Sequence, residues 1–306
     1  MSQQNSPYIE DQIDLKDLYL KFWKQKKLIF LITSLFAVLS VIYSLSLNNI
    51  YSSSALLVPS SKDDSLASMA SLRSSFSSFS GISLIDSPAT DADEAVERIK
   101  SLQFFSDHFL PEISLENLMA VDSWNYKTNK IAYKKSVFDE KNNKWIRKAK
   151  YPRQVIPSDQ EAFEKFKDVV TIVVDKKSSY VSISIEHQSP FVAKNWLDII
   201  ILKINESMRL EEMELSKAYI NFLNESQKST NIQSLKEVSS ELLESQMQNL
   251  MLASSNKDYI FKIIDSPVVS ERKSRPNRAL ICILGTIFGG ILSLIVAYIK
   301  SYREES

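Results

Sequence analysis

The side chains that could perform acid–base or metal chemistry are few and widely separated in this sequence. His108 and His187 are the only histidines. The single cysteine, Cys282, lies inside an apolar run, so an intrachain disulfide and a cysteine-based metal site are both excluded. A metal or a triad shared by the two histidines is conceivable, but two ordinary surface or cap histidines are the simpler interpretation. We therefore expect no metal and no cofactor.

The distribution of glycine argues against phosphate-binding and nucleophile motifs. The chain has four glycines, and none lies between Ile82 and Leu284. A P-loop and a dinucleotide fingerprint both need glycines in the soluble part, and a nucleophile elbow needs a second glycine beside SFSG. The carboxylates Glu211, Glu212 and Glu214 have basic neighbours, which is typical of charge pairs on a solvated helix face. We predict that the chain is not an enzyme.

Two long apolar runs organise the chain. Residues 28–47 and 279–299 contain no charged residue, and each run has about 20 residues. A helix rises ~1.5 Å per residue, so a run of this length crosses the ~30 Å hydrocarbon layer of a membrane. Buried core helices are usually shorter, and no signal-peptide cleavage pattern follows the first run. We predict two transmembrane helices.

Basic residues next to the first run predict the orientation. Lys21, Lys24, Lys26 and Lys27 stand directly before it, and no basic residue follows it until Lys62, so the positive-inside bias puts the N-terminus in the cytoplasm. Basic residues within 272–278 oppose this bias, but the first span usually dominates. They could contact anionic lipid headgroups or be ordinary juxtamembrane charge. The predicted layout has cytoplasmic tails at 1–27 and 300–306 and one extracytoplasmic domain at 48–278.

The extracytoplasmic segment mixes strand and helix patterns. Residues 50–59 predict a strand, residues 60–80 a serine-rich loop, and residues 91–109 one helix capped at Thr90 or Asp91. Ser158 and Glu161 have capping-box spacing at the start of a short helix. Alternating or β-branched runs predict further strands at residues 131–138, 144–148, 169–177, 178–188 and 259–265.

Two long helices are predicted at about residues 190–253. The first starts at Pro190 and runs to about Gln227, and its apolar stripe thins after Met208. Such a helix has too little core of its own in a monomer, which favours a coiled coil, a bundle or an oligomer. The order of elements predicts an α+β fold, in which the first and last strands share a sheet and the long helices project from it.

The remaining glycines cluster in the second apolar run. Gly285, Gly289 and Gly290 are three of the four glycines in the chain. Gly285 and Gly289 have the small-xxx-small spacing that lets another helix approach closely in lipid. We predict that this face packs on residues 28–47 of the same chain, on a neighbouring chain, or on another membrane protein.

The chain resembles the polysaccharide co-polymerases, the Wzz-type chain-length determinants of the bacterial inner membrane. Two stretches carry the resemblance: IDLKDLYLKFWKQKKLI at residues 13–29, and residues 263–293. In the second stretch the family pattern is matched by a juxtamembrane proline motif, which comprises Pro267, Ser274 and Pro276, and by Gly285 and Gly289. A further proline that is usual between the first two is absent, and Ser270 stands near its place.

The resemblance implies a non-enzymatic, homo-oligomeric ring with an α+β base at the membrane and long helices above it. It implies regulation of the modal length of a lipid-linked glycan, most often lipopolysaccharide O antigen. The implied partners are further copies of the chain, a membrane-embedded glycan polymerase, the lipid-linked polysaccharide and membrane lipids. No nucleic acid is implied, and the balanced charge gives no reason to expect one.

Two further expectations concern the type of protein. One branch of the family carries a cytoplasmic tyrosine kinase, but this sequence has no P-loop and one tail tyrosine, Tyr302. We therefore expect the class without a kinase domain. The alternative function is a two-span periplasmic sensor or receptor subunit that works with a separate signalling partner.

Overall fold

The computed structural model describes residues 23–60, 90–229 and 233–305 of the chain. The predicted serine-rich loop at 60–80 lies outside the described residues apart from its first position. The chain divides into two compact units. The helical unit comprises Met1–Asn49 and Arg275–Ser306, and the sheet unit comprises Ile50–Ser274.

Helices and strands are both present, which confirms the mixed fold class. The helices are α1 (Lys26–Ser46), α2 (Asp91–Ile99), α3 (Leu102–Phe104), α4 (Leu115–Met119), α5 (Asp159–Val169), α6 (Pro190–Ser229), α7 (Gln233–Ser255) and α8 (Arg278–Glu305). The strands are β1 (Ile50–Pro59), β2 (Val121–Asn125), β3 (Lys130–Tyr133), β4 (Phe138–Asp139), β5 (Lys144–Trp145), β6 (Val170–Val174), β7 (Val181–His187), β8 (Phe261–Asp265) and β9 (Lys273–Arg275).

The helical unit is built from α1 and α8. Both are long and apolar enough to cross a membrane, and α1 covers all but the last residue of the predicted run 28–47. Only 6% of the apolar window of α1 and 11% of that of α8 is buried. A core helix of a soluble protein would be mostly buried, so this exposure favours lipid as the surroundings of the pair.

The central sheet of the other unit is antiparallel in the order β6-β7-β1-β8, and β9 also pairs with β1. β1 faces β7 with Tyr51 opposite His187, and it faces β8 with Pro59 opposite Phe261. The first and last long strands therefore share one sheet, as predicted. The alternation predicted for β7 is also confirmed, because Val181 is buried and every second residue after it is buried too.

An aromatic core packs between this sheet and the helices. Phe105 and Phe109 are fully buried, and each ring centroid lies 4.9 Å from that of Phe166. Trp196 of α6 meets Phe109 edge to face at 5.9 Å. Burying a side chain of this size contributes about 1.5–3 kcal/mol relative to leaving it exposed. This cluster joins the turn Phe105–Phe109 to α5 and α6 beside the sheet.

The single helix predicted for residues 91–109 is wrong, because the chain breaks at Ser101. Thr90 and Asp93 form the capping box that starts α2. Ser101 is extended, and its hydroxyl accepts a hydrogen bond from the Phe104 amide at 3.1 Å. A serine that bonds the backbone locally competes with helix continuation. A π-helical turn (Phe105–Phe109) then follows α3.

The predicted strand 131–138 is divided between two hairpins. A turn closed by the Val137 amide and the Lys134 carbonyl, 2.8 Å apart, separates β3 from β4. β3 pairs with β2, a strand that was not predicted, and β4 pairs with β5. Asn129 and Asn143 have positive φ values of 51° and 49° in these turns, a conformation that asparagine tolerates.

The two long helices agree closely with prediction. α6 has 40 residues and α7 has 23. In α6 the buried apolar positions end at Met208, and beyond it Leu215 and Phe222 are 46% and 66% exposed. The first half of α6 therefore belongs to the core, whereas the second half carries apolar side chains outside it.

Candidate functional site

The predicted glycine face lies at the contact between the two apolar helices. α8 presents a small residue at every fourth position: Gly285, Gly289, Ser293 and Ala297. The last three are buried. The two glycines were predicted from their spacing, whereas Ser293 and Ala297 were not, although the same spacing of four continues through them.

Glycine is required at two of these positions because the helices approach so closely. A Cβ atom built on Gly285 would lie 2.5 Å from Cβ of Ser40, and one built on Gly289 would lie 2.4 Å from Cβ of Phe36. Carbon atoms in contact are normally ≈ 3.5–4.0 Å apart. Any side chain larger than hydrogen would therefore push α1 and α8 apart.

Hydroxyl groups complete the contact between the helices. Thr33 Oγ1 of α1 donates to Ser293 Oγ at 3.3 Å, and Ser293 Oγ donates to the Gly290 carbonyl at 2.6 Å. Ser40 Oγ donates to the Ala37 carbonyl at 2.8 Å. These bonds satisfy the hydroxyl donors of Thr33, Ser40 and Ser293 within the pair, where lipid supplies no hydrogen-bond partner. Thr33, Phe36 and Ser40 of α1 contact Ser293, Gly289 and Gly285 of α8, respectively. Residue numbers thus increase along one helix and decrease along the other, so the two helices are antiparallel.

Gly290 differs from the other two glycines. A Cβ atom built on it would meet no atom of the described chain within 4 Å. The packing of α1 on α8 therefore does not require glycine at this position. The three predicted residues divide into two that face α1 and one that faces away from any described contact.

Two residues of the juxtamembrane motif belong to the sheet unit. Pro267 is buried. The carbonyl of the next residue, Val268, accepts a hydrogen bond from Ser53 Oγ of β1 at 2.9 Å. Ser274 lies in β9, and its hydroxyl donates to Glu186 Oε1 of β7 at 3.2 Å. Both ends of the segment 267–274 are therefore attached to the central sheet.

The third motif residue, Pro276, belongs to the helical unit. It follows a cis peptide bond after Arg275 and is half-buried. Asn277 then caps α8, because its side-chain oxygen accepts from the Leu280 amide at 3.3 Å. The motif thus leads from the last strand to a capped helix start.

The two histidines have separate structural surroundings and share no site. His187 is buried, and its Nε2 donates to the Asn117 carbonyl at 2.9 Å while its Nδ1 accepts from the Ser189 amide at 2.9 Å. Burial lowers the pKa of His187, since the interior disfavours the charged ring. The ring of His108 instead packs on Phe104 at 5.6 Å.

The carboxylates Glu211, Glu212 and Glu214 were predicted to form charge pairs on the face of their own helix. One of them, Glu211, instead pairs with a residue of another helix. The Arg98 guanidinium of α2 bonds both Glu211 of α6 and Glu94 of its own helix. The Arg98 hydrogen bond lowers the pKa of the Glu211 carboxyl. Glu212 accepts a hydrogen bond from the Ser216 hydroxyl at 3.2 Å. These contacts tie α2 to α6 and indicate a structural role.

Asn205 has a role that the sequence analysis did not detect. Its side chain is 3% exposed, and its Oδ1 accepts from the amides of Ile260 and Phe261, each at 2.9 Å. Its Nδ2 donates to the carbonyls of Ile201 and Phe261 at 3.0 and 3.2 Å. Pro59, opposite Phe261, has no backbone N–H to donate. An asparagine inside an apolar helix stripe was the available signal for this buried connection.

Comparison with protein families gives two matches at opposite ends of the chain. Residues 11–102 match the family model "Wzz: Chain length determinant protein". Residues 227–302 match "GNVR: G-rich domain on putative tyrosine kinase". The second match includes the three glycines of α8. A search of the curated proteins gave no match.

Solved structures of similar proteins include two polysaccharide co-polymerases. One is a full-length bacterial polysaccharide co-polymerase with 14% sequence identity, which covers 95% of this chain and 99% of its own, with a TM-score of 0.42. The other is a fragment of WzzB, the polysaccharide co-polymerase from Salmonella Typhimurium. It has 12% identity, covers 74% of this chain and 100% of its own, and has a TM-score of 0.27.

Proposed function

We propose that this chain is a non-enzymatic regulator of the chain length of a lipid-linked surface polysaccharide, namely lipopolysaccharide O antigen. It acts in the bacterial inner membrane as a homo-oligomeric scaffold beside the membrane-embedded glycan polymerase. The match of residues 11–102 to the chain-length determinant family carries this proposal. A scaffold needs no nucleophile, and His187, His108, Glu211 and Glu212 have the structural partners described above.

The decisive experiment is deletion of the gene followed by electrophoresis of the surface polysaccharide. The proposal expects the ladder to lose its preferred chain length and to regain it when the wild-type chain is supplied. A ladder that is identical with and without the gene would refute the proposal. The chain would then have no role in setting the length of this polysaccharide.

The proposed topology has both termini in the cytoplasm and the sheet unit in the periplasm. Met251 of α7 offers a reporter because its side chain is 68% exposed. A Met251→Cys variant in a Cys282→Ser background should react with a membrane-impermeant maleimide once the outer membrane is opened. Reaction only after the inner membrane is broken would contradict this orientation.

The proposed contact with the polymerase, or with a neighbouring copy, uses the side of α8 that carries Gly290. This side is open in the chain, whereas Gly285 and Gly289 already face α1. Gly290→Leu should therefore alter the glycan ladder while leaving the helix pair intact. An unchanged ladder would exclude this side of α8 from the contact.

We also propose that these 306 residues do not bind ATP, since they contain no P-loop. The G-rich domain that the chain matches is named for a tyrosine kinase, so the point needs a direct test. Purified protein should not bind a fluorescent ATP analogue. Saturable binding would contradict the assignment.

A further inference from the structure

Positive charge is concentrated in one short segment of the sheet unit. Residues 127–153 contain ten basic and two acidic side chains, whereas the whole chain has no net charge. The segment includes β3, β4, β5 and the loop after them. We call the surface of residues 127–153 the basic hairpin surface.

The charges of this surface are available to a partner. All eight of its lysines are exposed, and none forms an ion pair within the described part of the chain. Arg147 is the exception, because it pairs with Glu161 and donates to the carbonyls of Val155 at 2.9 Å and Gln154 at 2.7 Å. Arg147 thus holds the loop in place, whereas the exposed lysines are not committed to ion pairs within the described part of the chain.

Contacts attach both hairpins to the end of the sheet where β1 begins. The Trp124 ring of β2 lies edge to face on Tyr51, the second residue of β1, at 5.5 Å. Tyr133 of β3 donates to Asn117 Oδ1 at 2.8 Å, and the Asn117 carbonyl accepts from His187, the residue opposite Tyr51. The ring of Tyr133 meets that of Phe138 of β4 edge to face, with the ring centroids 5.4 Å apart. The two hairpins therefore form one surface at this end.

The start of β1 is tied by a short chain to the first apolar helix. α1 ends at Ser46, and β1 starts at Ile50 after three connecting residues. Three residues of extended chain reach at most about 10 Å. If α1 crosses a membrane, as proposed above, the start of β1 stays close to the headgroups.

Exposed aromatic rings accompany the lysines. Tyr126, at the tip of the β2–β3 hairpin, is 72% exposed and lies under Lys127 Nζ at 5.9 Å. Tyr151 follows the second hairpin and is 98% exposed. Tyrosine is enriched at the membrane–water interface, and clusters of lysine attract anionic headgroups. Anionic headgroups would also reduce the electrostatic repulsion between neighbouring lysines.

We propose that the basic hairpin surface binds the anionic lipid headgroups of the membrane that α1 and α8 span. The proposal rests on the proposed membrane location and adds a lipid contact within the sheet unit. Positive charge alone would suit an acidic glycan as well, but the exposed tyrosines and the three-residue connection to α1 favour the lipid surface. The contact would limit the tilt of the sheet unit relative to the bilayer.

Hydrogen exchange of the full-length protein in nanodiscs tests this contact. Nanodiscs of phosphatidylcholine alone are compared with nanodiscs that also contain phosphatidylglycerol. We expect the amides of residues 121–153 to exchange about tenfold more slowly with the anionic lipid, and this protection to fade at high salt. Equal exchange in the two lipids overturns the proposal.

Matched charge variants show whether the surface itself is responsible. Neutralising Lys127, Lys130, Lys134 and Lys135 to glutamine should abolish the lipid-dependent protection. The control neutralises four exposed or half-exposed lysines of the long helices and the loop after them, namely Lys217, Lys228, Lys236 and Lys257. The control should keep the protection. Loss of protection in both variants would attribute it to net charge and overturn the proposal.

The remaining outcomes are also decisive. Protection that needs an added acidic polysaccharide and not phosphatidylglycerol would assign the surface to a glycan and overturn the lipid contact. Replacing the same four hairpin lysines by arginine retains the charge and should retain the protection. The assay measures lipid contact and not glycan length, so its failure leaves the proposed function untouched, and an altered ladder cannot substitute for it.

Discussion

The two units of the molecule bury opposite kinds of side chain. In the sheet unit the interior holds large rings such as Phe105 and Phe166, both almost fully buried. In the helical unit the buried contact holds Gly289, Ser293 and Ala297, while Phe288, directly before Gly289, is 60% exposed. The same chain therefore places its largest apolar side chains inside one unit and outside the other.

This inversion follows from the surroundings of each unit. In water, burying apolar area stabilises the fold, so large rings collect in the interior. Lipid tails are as apolar as the side chains, so burying them gains little and close backbone packing takes over. Small residues give that close approach. The contrast is independent support for a lipid environment around α1 and α8.

The largest expected effect is at Gly289, where the helices approach most closely. Gly289→Leu should separate α1 from α8, because its Cβ would lie 2.4 Å from that of Phe36. The measurement is an intrachain disulfide between Thr33→Cys and Ser293→Cys in a Cys282→Ser background, followed by free-thiol counting. We expect the disulfide to be lost.

Gly290→Leu is the matched control for that experiment. Its Cβ would meet nothing within 4 Å, so the disulfide should form as efficiently as with glycine. Equal disulfide formation in the Gly289 variant would show that the glycine face is not needed for the pair. The contrast between the two units would then fail.

The next effect tests the aromatic side of the comparison. Phe105→Ala removes a fully buried ring and should lower the free energy of unfolding of the sheet unit by about 3–5 kcal/mol. The measurement is urea unfolding of the detergent-solubilised protein. Phe288→Ala, which removes an exposed ring of the helical unit, should change it by less than about 1 kcal/mol. Similar losses would contradict the inversion.

A smaller effect is expected from the buried amide of Asn205. Asn205→Leu leaves the amides of Ile260 and Phe261 without their acceptor, at a cost of about 1–3 kcal/mol in the free energy of unfolding. Asn224 offers a close control because it opens the same Asn-Glu-Ser triplet on the same helix and is exposed. Asn224→Leu should be nearly neutral in the same urea measurement. If Asn205→Leu left the free energy of unfolding unchanged, the side-chain connection from Asn205 to Ile260 and Phe261 would not stabilise the fold.

The smallest effect is a pH dependence confined to the sheet unit. The pKa of His187 is lowered below its ordinary 6.5 by burial, so the unfolded chain binds a proton more readily than the folded one. Stability from this residue is complete above about pH 6.5 and declines as the pH falls below it. Thermal melting between pH 7.5 and 5 should show the decline, and His187→Gln should flatten it.

His108→Gln controls for the general effect of losing a histidine. His108 is the other histidine of the chain, and the decline assigned to His187 should persist in this variant. A profile that is unchanged by the His187 substitution would show that another group controls the acid response.

Local patterns in the sequence predicted most of the fold. Alternation predicted β7, the long stretch without proline or glycine predicted α6 and α7, and Thr90 predicted the start of α2. Prediction failed where two local preferences compete, as at Ser101, whose hydroxyl ends a helix that the apolar spacing would continue. It also failed for the partner of Arg98, because that salt bridge joins residues 113 positions apart.

The candidate site shows the same division. The spacing of Gly285 and Gly289 indicated a helix-packing face, but it left three possible partners. The structure brings Ser40 and Phe36 of the same chain onto these glycines and leaves Gly290 open. The basic hairpin surface was not predicted, because only the strand patterns of residues 127–153 were considered and their local charge was not.

The sequence by itself determined the two apolar helices, the strand alternation and the small-residue spacing. These are periodic patterns, and the physics that produces them acts within one turn of a helix or one strand. Only the tertiary structure decided which helix meets Gly289, what satisfies Asn205, and which end of the sheet carries the lysines of residues 127–153. Those outcomes depend on contacts between distant parts of the chain, which no local pattern specifies.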